Sequence, residues 1–152
     1  GGGYEPGMSS DSGFELGKEL TFEYALVPHA GDWRQARIYR EGLEFNHPLI
    51  VRRATPHAGT LAKRWGLLEV SHPNCVISAL KPGKGDTTVL RIYEAIGKPA
   101  PGVKIRFQAR VASAHEADLM EDPGRKLETP NNVLSFDMAP FEIKTFLLQL
   151  RK

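Results

Sequence analysis

The feature that most constrains the fold is a strict alternation of apolar and polar side chains in VKIRFQARV, residues 103–111. The apolar positions are Val103, Ile105, Phe107, Ala109 and Val111, and the polar ones between them are Lys104, Arg106, Gln108 and Arg110. A period of two is typical of a β-strand with one buried face and one face in water. The segment therefore predicts a sheet that covers an apolar core on one side only.

Seven further short segments predict strands, because they are apolar and are bounded by Gly, Pro, Asn or Asp. They span residues 19–28, 48–54, 66–71, 75–81, 87–96, 133–138 and 141–150. The first alternates cleanly at Leu20, Phe22, Tyr24 and Leu26. In the last, the apolar phase shifts between Ile143 and Phe146, which predicts a bulge or bend near Thr145.

One helix is predicted between the first two of these strands. Asp32 stands where a helix N-cap is needed, and Gln35, three residues later, completes a capping-box pattern. Apolar positions then recur at helical spacing, at Trp33, Ala36, Tyr39 and Leu43. The helix is expected to end between residues 42 and 46.

About eight short strands, one early helix and no β-α-β alternation predict an all-β fold, an antiparallel β-sandwich with one short N-terminal helix. Residues 19–152 are expected to form this sandwich domain. The opening residues 1–18 are rich in Gly and Ser and are interpreted as a linker or a remnant of cloning.

The totals restrict the class of protein. The chain has 152 residues, 41% hydrophobic and 25% charged, which is ordinary for one globular domain. A net charge of +2 without a long basic run gives no support for nucleic-acid binding. No apolar run approaches the roughly 20 residues that span a bilayer. With a single cysteine, Cys75, no internal disulfide can form, and we expect a cytoplasmic protein without membrane contact.

Two groups of residues are candidates for a carbohydrate-binding site. His29, Asp32 and Trp33, followed by Arg34, lie in PHAGDWRQA, where a Trp could stack on a sugar ring; the alternative is a structural corner in which Asp32 caps the helix. Arg91 and Tyr93 are expected on one face of a strand, with Glu94 on the other. They could bind a ligand, or the Arg could pack on the ring and pair with a carboxylate.

Three other features of the sequence predict no metal site and no catalytic residue. The segment AHEADLMED, residues 114–122, collects His115, Glu116, Asp118, Glu121 and Asp122. Its spacing is that of neither a calcium loop nor a zinc site, so we predict no metal in this chain, and the acids are expected to face water or pair with Arg110 or Arg125. Cys75 lies in an apolar strand and is expected to be a small buried hydrophobe. No self-contained catalytic motif occurs, and no catalytic residue is predicted.

Four blocks taken in order carry a family resemblance. They are FEYALVPHAGDWRQARIYREGLEFNHPL, LRIYEAIGKP, ARVASAHEADLMED and MAPFEIKTFLLQL, and together they cover most of residues 22–150. In sequence and spacing they resemble the C-terminal β-domain of glycoside hydrolase family 38, the α-mannosidases.

The resemblance implies a parent enzyme that removes α-linked mannose with retention, using a carboxylate nucleophile, an acid/base carboxylate and a zinc ion. It also implies that those groups belong to an upstream catalytic domain of the same polypeptide, so no cofactor is expected in this chain. The residues themselves agree with this expectation, because a retaining glycosidase needs two carboxyl groups about 5 Å apart in a shaped pocket, and no sequence feature marks such a pocket here.

Two rival functions stay open beside that of an accessory domain. A stand-alone carbohydrate-binding module needs exposed aromatic platforms, and Trp65, beside Lys63 and Arg64, is the best remaining one. A purely structural sandwich used for contacts between subunits would present a large apolar patch.

Overall fold

The computed structural model describes Glu19, residues 21–60 and residues 62–151. The chain divides into two compact units, Gly1–Ile38 and Tyr39–Lys152. The elements are α1 (Ile38–Asn46), β1 (Leu68–Val70), β2 (Cys75–Pro82), β3 (Thr88–Glu94), β4 (Ala100–Phe107), β5 (Arg110–Ala117), β6 (Pro123–Leu127), a 3-10 turn (Pro130–Asn132), β7 (Val133–Met138) and β8 (Ile143–Arg151). Among the described residues, no helix combines the length and apolar character needed to cross a bilayer.

The strands form two antiparallel sheets, as the alternation of the sequence predicts. One has three strands in the order β1-β4-β7, and the other has five in the order β2-β3-β8-β5-β6. Their facing sides share one apolar core, whose largest fully buried members include Phe146, Leu90, Ile92, Ile105 and Leu134. The prediction of an all-β sandwich with one helix is confirmed.

The alternating segment 103–111 is two strands rather than one. β4 ends at Phe107, the backbone bends at residues 108 and 109, and Val111 belongs to β5. β4 lies in the three-stranded sheet and β5 in the five-stranded sheet, yet Phe107 and Val111 are both buried. The apolar phase continues through the bend, and for this reason the sequence pattern does not reveal it.

Strand predictions before residue 66 are wrong for this chain. Residues 21–27 and 48–54 contain no strand, and their apolar side chains are exposed; Leu20 lies outside the described residues, as does the predicted linker 1–18. A strand exists only when its N–H and C=O groups find a partner strand, and none pairs with these segments among the described residues.

The predicted bulge near Thr145 is also wrong. β8 pairs with β3 in unbroken register from Tyr93↔Ile143 to Thr88↔Leu148. Where β8 pairs with β5, the register shifts between Val111 and Ser113. The sequence of β8 changes phase because Ile143 is exposed whereas Phe146 is fully buried. On the side away from β8, β5 pairs with the edge strand β6, which the sequence analysis does not predict. The first residue of β6 is a Pro, which is tolerated at a sheet edge.

The capping box forms as predicted, but it caps a single turn. Asp32 Oδ1 accepts hydrogen bonds from the backbone N–H groups of Arg34 (3.0 Å) and Gln35 (2.9 Å). The turn closes at Arg37, whose φ of 55° and N–H bond to the Arg34 carbonyl are typical of a helix C-terminus. α1 then begins at Ile38 and ends at Asn46, at the end of the predicted window.

Candidate functional site

A groove of about 570 Å³ lies on the side of the five-stranded sheet that faces away from the core. Its floor comes from β5 and β8, where His115 is paired with Leu147 and Ser113 with Gln149. The inward-facing neighbours on the same strands, Ala114 and Leu148, are fully buried in the core. Alternation thus aims one set of side chains into the core and the other into the groove.

One wall of the groove is the loop of residues 118–122, which is organised by its first residue. Asp118 Oδ1 accepts hydrogen bonds from the backbone N–H groups of Met120 (2.9 Å) and Asp122 (3.0 Å). Glu121 has a φ of 70°, a left-handed conformation that non-glycine residues adopt at a cost. The loop therefore presents Met120, Glu121 and Asp122 to the groove in a fixed shape.

Arg91 fastens this loop to the sheet. Its guanidinium donates to the Thr145 hydroxyl (Nε to Oγ1, 3.1 Å) and to the Leu119 carbonyl (Nη2 to O, 3.1 Å). Glu121 Oε1 forms ion pairs with Lys81 Nζ (2.7 Å) and with Arg91 Nη2 (3.5 Å). Arg91 and Tyr93 share a face opposite to the buried Glu94, as predicted, but in this arrangement Arg91 already pairs with a carboxylate.

Three charged or titratable side chains lining the groove remain available to a ligand. Within the described part of the chain, the side chains of Lys84, His115 and Asp122 have no hydrogen-bonding or ionic partner. The Ser113 hydroxyl donates to Gln149 Oε1 (3.0 Å), which leaves the amide NH₂ of Gln149 as a further donor in the groove. These groups together suit a neutral polyhydroxyl molecule.

Glu94 is the most heavily hydrogen-bonded carboxylate of the described residues. It is buried at the end of β3 and accepts from the side chain of Asn74 (2.8 Å) and from the backbone N–H groups of Ile96, Gly97, Lys98 and Phe141. Burial raises the pKa of Glu94, but these hydrogen bonds outweigh it and hold the pKa below its usual value. Glu94 therefore serves as an ionised hub that joins two loops.

The pattern of the sequence does not predict this role of Glu94. A local signal exists, because EAIG places an acid directly before a turn whose Gly97 has a φ of 71°. Two of its donors, Asn74 and Phe141, lie 20 and 47 residues away, so spacing alone cannot reveal them.

Two other titratable groups have structural environments. Glu116 binds Lys144 and Arg125, each at 3.0 Å, and these partners hold its pKa below the usual value, so the predicted pairing with Arg125 is confirmed. Burial, together with the charge of Glu94, raises the pKa of the Cys75 thiol to about 11. A protonated, buried thiol is a poor nucleophile, as expected from its apolar strand.

The first predicted group lies in the unit that ends at Ile38. His29 is exposed and Asp32 caps the turn; Trp33 retains 38% exposure, and the Arg34 guanidinium stacks 4.4 Å from its ring centroid. Trp65 is 56% exposed. None of these residues lines the groove, and their role in carbohydrate binding stays a prediction. No set of three His, Cys, Asp or Glu side chains arranged around a metal position occurs among the described residues.

The chain is similar to a family model and to two α-mannosidases. Residues 74–146 match the family model for the glycosyl hydrolases family 38 C-terminal beta sandwich domain. The chain is similar to alpha-mannosidase 2C1 of Mus musculus, 30% identical over 93% of this chain, and of Homo sapiens, 31% identical over 96%. In both comparisons it spans 14% of the length of the relative. Over residues 74–146, this chain therefore matches the C-terminal β-sandwich domain of glycosyl hydrolase family 38.

Proposed function

We propose that this chain is the non-catalytic C-terminal domain of an α-mannosidase-like glycoside hydrolase and that it supports the catalytic domain of the same polypeptide. The observation that carries the proposal is the 14% share of the α-mannosidase relatives that the chain spans. Most of such an enzyme lies outside it. The nucleophile and the zinc ion implied by the family belong to that upstream part, and we place the enzyme in the cytoplasm.

The chemistry of the carboxylates supports a non-catalytic role. A glycosidase acid must hold a proton near neutral pH, which requires a raised pKa. Both Glu94 and Glu116 have pKa values below the usual one, and their oxygens already accept hydrogen bonds from several donors. They are ionised at neutral pH and are committed to the fold.

The groove is the part of the domain best suited to the edge of a carbohydrate site. Lys84, His115 and Asp122 can exchange hydrogen bonds with sugar hydroxyls, while Leu147 and Met120 provide apolar contact. We propose that this groove contributes to the rim of the α-mannoside site of the full-length enzyme. Its role there is to position substrate rather than to transfer protons.

Hydrolysis of 4-nitrophenyl α-mannoside tests both parts of the proposal. The full-length protein should release nitrophenol, and the 152-residue chain alone should not; release by the chain alone would overturn the non-catalytic assignment. In the full-length protein, Lys84→Ala should raise KM about tenfold with kcat unchanged, as expected for losing a charged hydrogen bond. Lys104→Ala, an exposed lysine on the other sheet, is the control. Equal KM values for both variants would refute the rim.

A second function, the stand-alone carbohydrate-binding module, is favoured by the exposed indole of Trp65. Isothermal titration of the 152-residue chain with mannose and mannobiose separates the two. Millimolar or tighter binding that Trp65→Ala abolishes would favour the module, and absence of heat would favour the accessory domain.

A further inference from the structure

Two segments that precede the sandwich hold large apolar side chains in water. In residues 21–27, Phe22, Tyr24 and Leu26 are 80%, 85% and 87% exposed. In residues 48–54, the consecutive Leu49, Ile50 and Val51 are 94%, 83% and 85% exposed. Single exposed apolar residues are normal on a protein surface, but contiguous sets of this size mark surfaces that are covered by something else.

The backbone of both segments is as uncovered as their side chains. Neither segment contains a turn or a bend, and among the described residues no backbone hydrogen bond involves residues 21–27 or 48–54. Both have strand-forming sequences: the first alternates with a period of two, and the second is rich in β-branched and apolar residues. Unpaired strand-forming backbone of this kind is a template for another strand.

We propose that residues 21–27 and 48–54 each add as a β-strand to sheet structure in the polypeptide that precedes the sandwich domain in the full-length protein. The length of that polypeptide supports this occupant, because the α-mannosidase relatives are about seven times as long as the region matched here. The family match is to a C-terminal domain and begins at residue 74, so both segments lie on the side of the sequence from which the rest of the polypeptide comes.

The two segments differ in what they require of their partner. Residues 21–27 have one apolar face, formed by Phe22, Tyr24 and Leu26, and an opposite face that includes Glu23, so they suit a sheet with one side in water. Residues 48–54 end in Arg52 and Arg53, so the edge that receives them should carry acidic side chains. In both cases main-chain hydrogen bonds supply the affinity and the apolar side chains supply the register.

Hydrogen exchange with mass spectrometry tests the pairing. The two samples are the 152-residue chain and the full polypeptide encoded by its reading frame. Amides of residues 22–26 and 49–53 should exchange freely in the chain and about a hundredfold more slowly in the full polypeptide. Amides of residues 128 and 129, which connect β6 to the 3-10 turn and lie outside the groove, should exchange equally in both. Free exchange in both samples, or a reading frame without upstream polypeptide, would overturn the proposal.

Protection that appears in the 152-residue chain alone, and grows with its concentration, would mean that a second copy occupies the segments. That result would also overturn the proposal, because it assigns the edge to self-association.

Matched substitutions connect the protection to the side chains. Tyr24→Gln and Ile50→Gln should each accelerate exchange of their own segment about tenfold in the full polypeptide and change nothing in the chain alone. Ile143→Gln, at a 51% exposed apolar residue outside both segments and outside the groove, should alter neither sample. If all three variants behave alike in the full polypeptide, the apolar faces are not what holds the segments.

This inference rests on the proposed function only in requiring an upstream polypeptide, and the two can fail separately. A full polypeptide that hydrolyses the mannoside while both segments exchange freely removes the inference and leaves the function. A full polypeptide in which both segments are protected but which hydrolyses no mannoside would refute the proposed function and leave the inference standing.

Discussion

Residues 22–26 and residues 103–107 have the same alternating pattern but differ in whether their apolar side chains are buried. In FEYAL the apolar side chains are exposed, whereas in VKIRF Val103, Ile105 and Phe107 are buried. The difference lies in the neighbours: β4 pairs with β1 on one side and β7 on the other, and residues 21–27 pair with no strand among the described residues. Alternation therefore states which face a strand can bury, and the rest of the polypeptide decides whether it does.

The same contrast separates the sandwich from the region before it in energetic terms. Each large apolar side chain that leaves water contributes roughly 1.5–3 kcal/mol. The sandwich collects this contribution at many positions in one core, whereas the side chains of Phe22, Tyr24 and Leu26 remain hydrated. We therefore expect the stability of this chain to depend almost entirely on residues after 66.

Replacing one phenylalanine in each region tests that contrast with the same chemistry. Phe146→Ala removes a fully buried ring that packs 4.7 Å from the Phe136 ring, and it should lower the free energy of unfolding by about 4 kcal/mol. Phe22→Ala should change it by less than about 0.5 kcal/mol. Urea denaturation of the 152-residue chain measures both. Comparable losses from the two variants would mean that the exposed segment belongs to the same cooperative core.

The second largest effect should come from the buried hub of the sandwich. Glu94→Gln keeps the shape of the side chain but replaces one accepting oxygen with an NH₂ group that faces backbone N–H donors. We expect a loss of about 3 kcal/mol at pH 7, because buried hydrogen bonds to a charged group are lost and donors are left unpaired. Glu69→Gln, at an exposed position of β1, is the control and should be neutral.

The pH dependence of this loss identifies its cause. A carboxyl whose pKa is lower in the folded chain than in the unfolded chain stabilises the fold above its unfolded value, 4.5, and this contribution disappears as the pH falls through the folded pKa. The difference between wild type and Glu94→Gln, followed by thermal denaturation, should therefore shrink below pH 4.5. A difference that stays constant down to pH 3 would point to packing rather than charge.

Local sequence predicted the sandwich strands well because their side-chain pattern and turn residues are local properties. β7 matches its prediction at both ends, and β2 and β3 match within two residues. The pattern does not predict the break between Phe107 and Val111, because the alternation persists while the chain passes from one sheet to the other. The segments before residue 66 have the side-chain pattern of strands, but a local pattern does not specify which strand would pair with them.

The sequence predicts the residues of the groove less well than it predicts the strands. The shared face of Arg91 and Tyr93 followed from alternation, and the charged loop 118–122 attracted attention by its composition. The groove itself joins residues near positions 84, 115 and 149, which come together only through the order of β3, β8 and β5 in the sheet. Sheet order depends on long-range pairing, and a single sequence does not contain that information in any short window.

The smallest effect should follow from the capped turn in the first unit. Asp32→Ala removes the acceptor for the N–H groups of Arg34 and Gln35, a loss worth about 1 kcal/mol for a typical N-cap. Exchange of the Gln35 amide, followed by NMR, should accelerate about fivefold, while the thermal midpoint of the sandwich stays unchanged. Asp32→Asn should restore slow exchange, because asparagine caps as well as aspartate. If Asp32→Ala instead lowers the midpoint of the whole chain, the turn and the sandwich unfold together, and the distinction between the two regions holds for side-chain burial but not for stability.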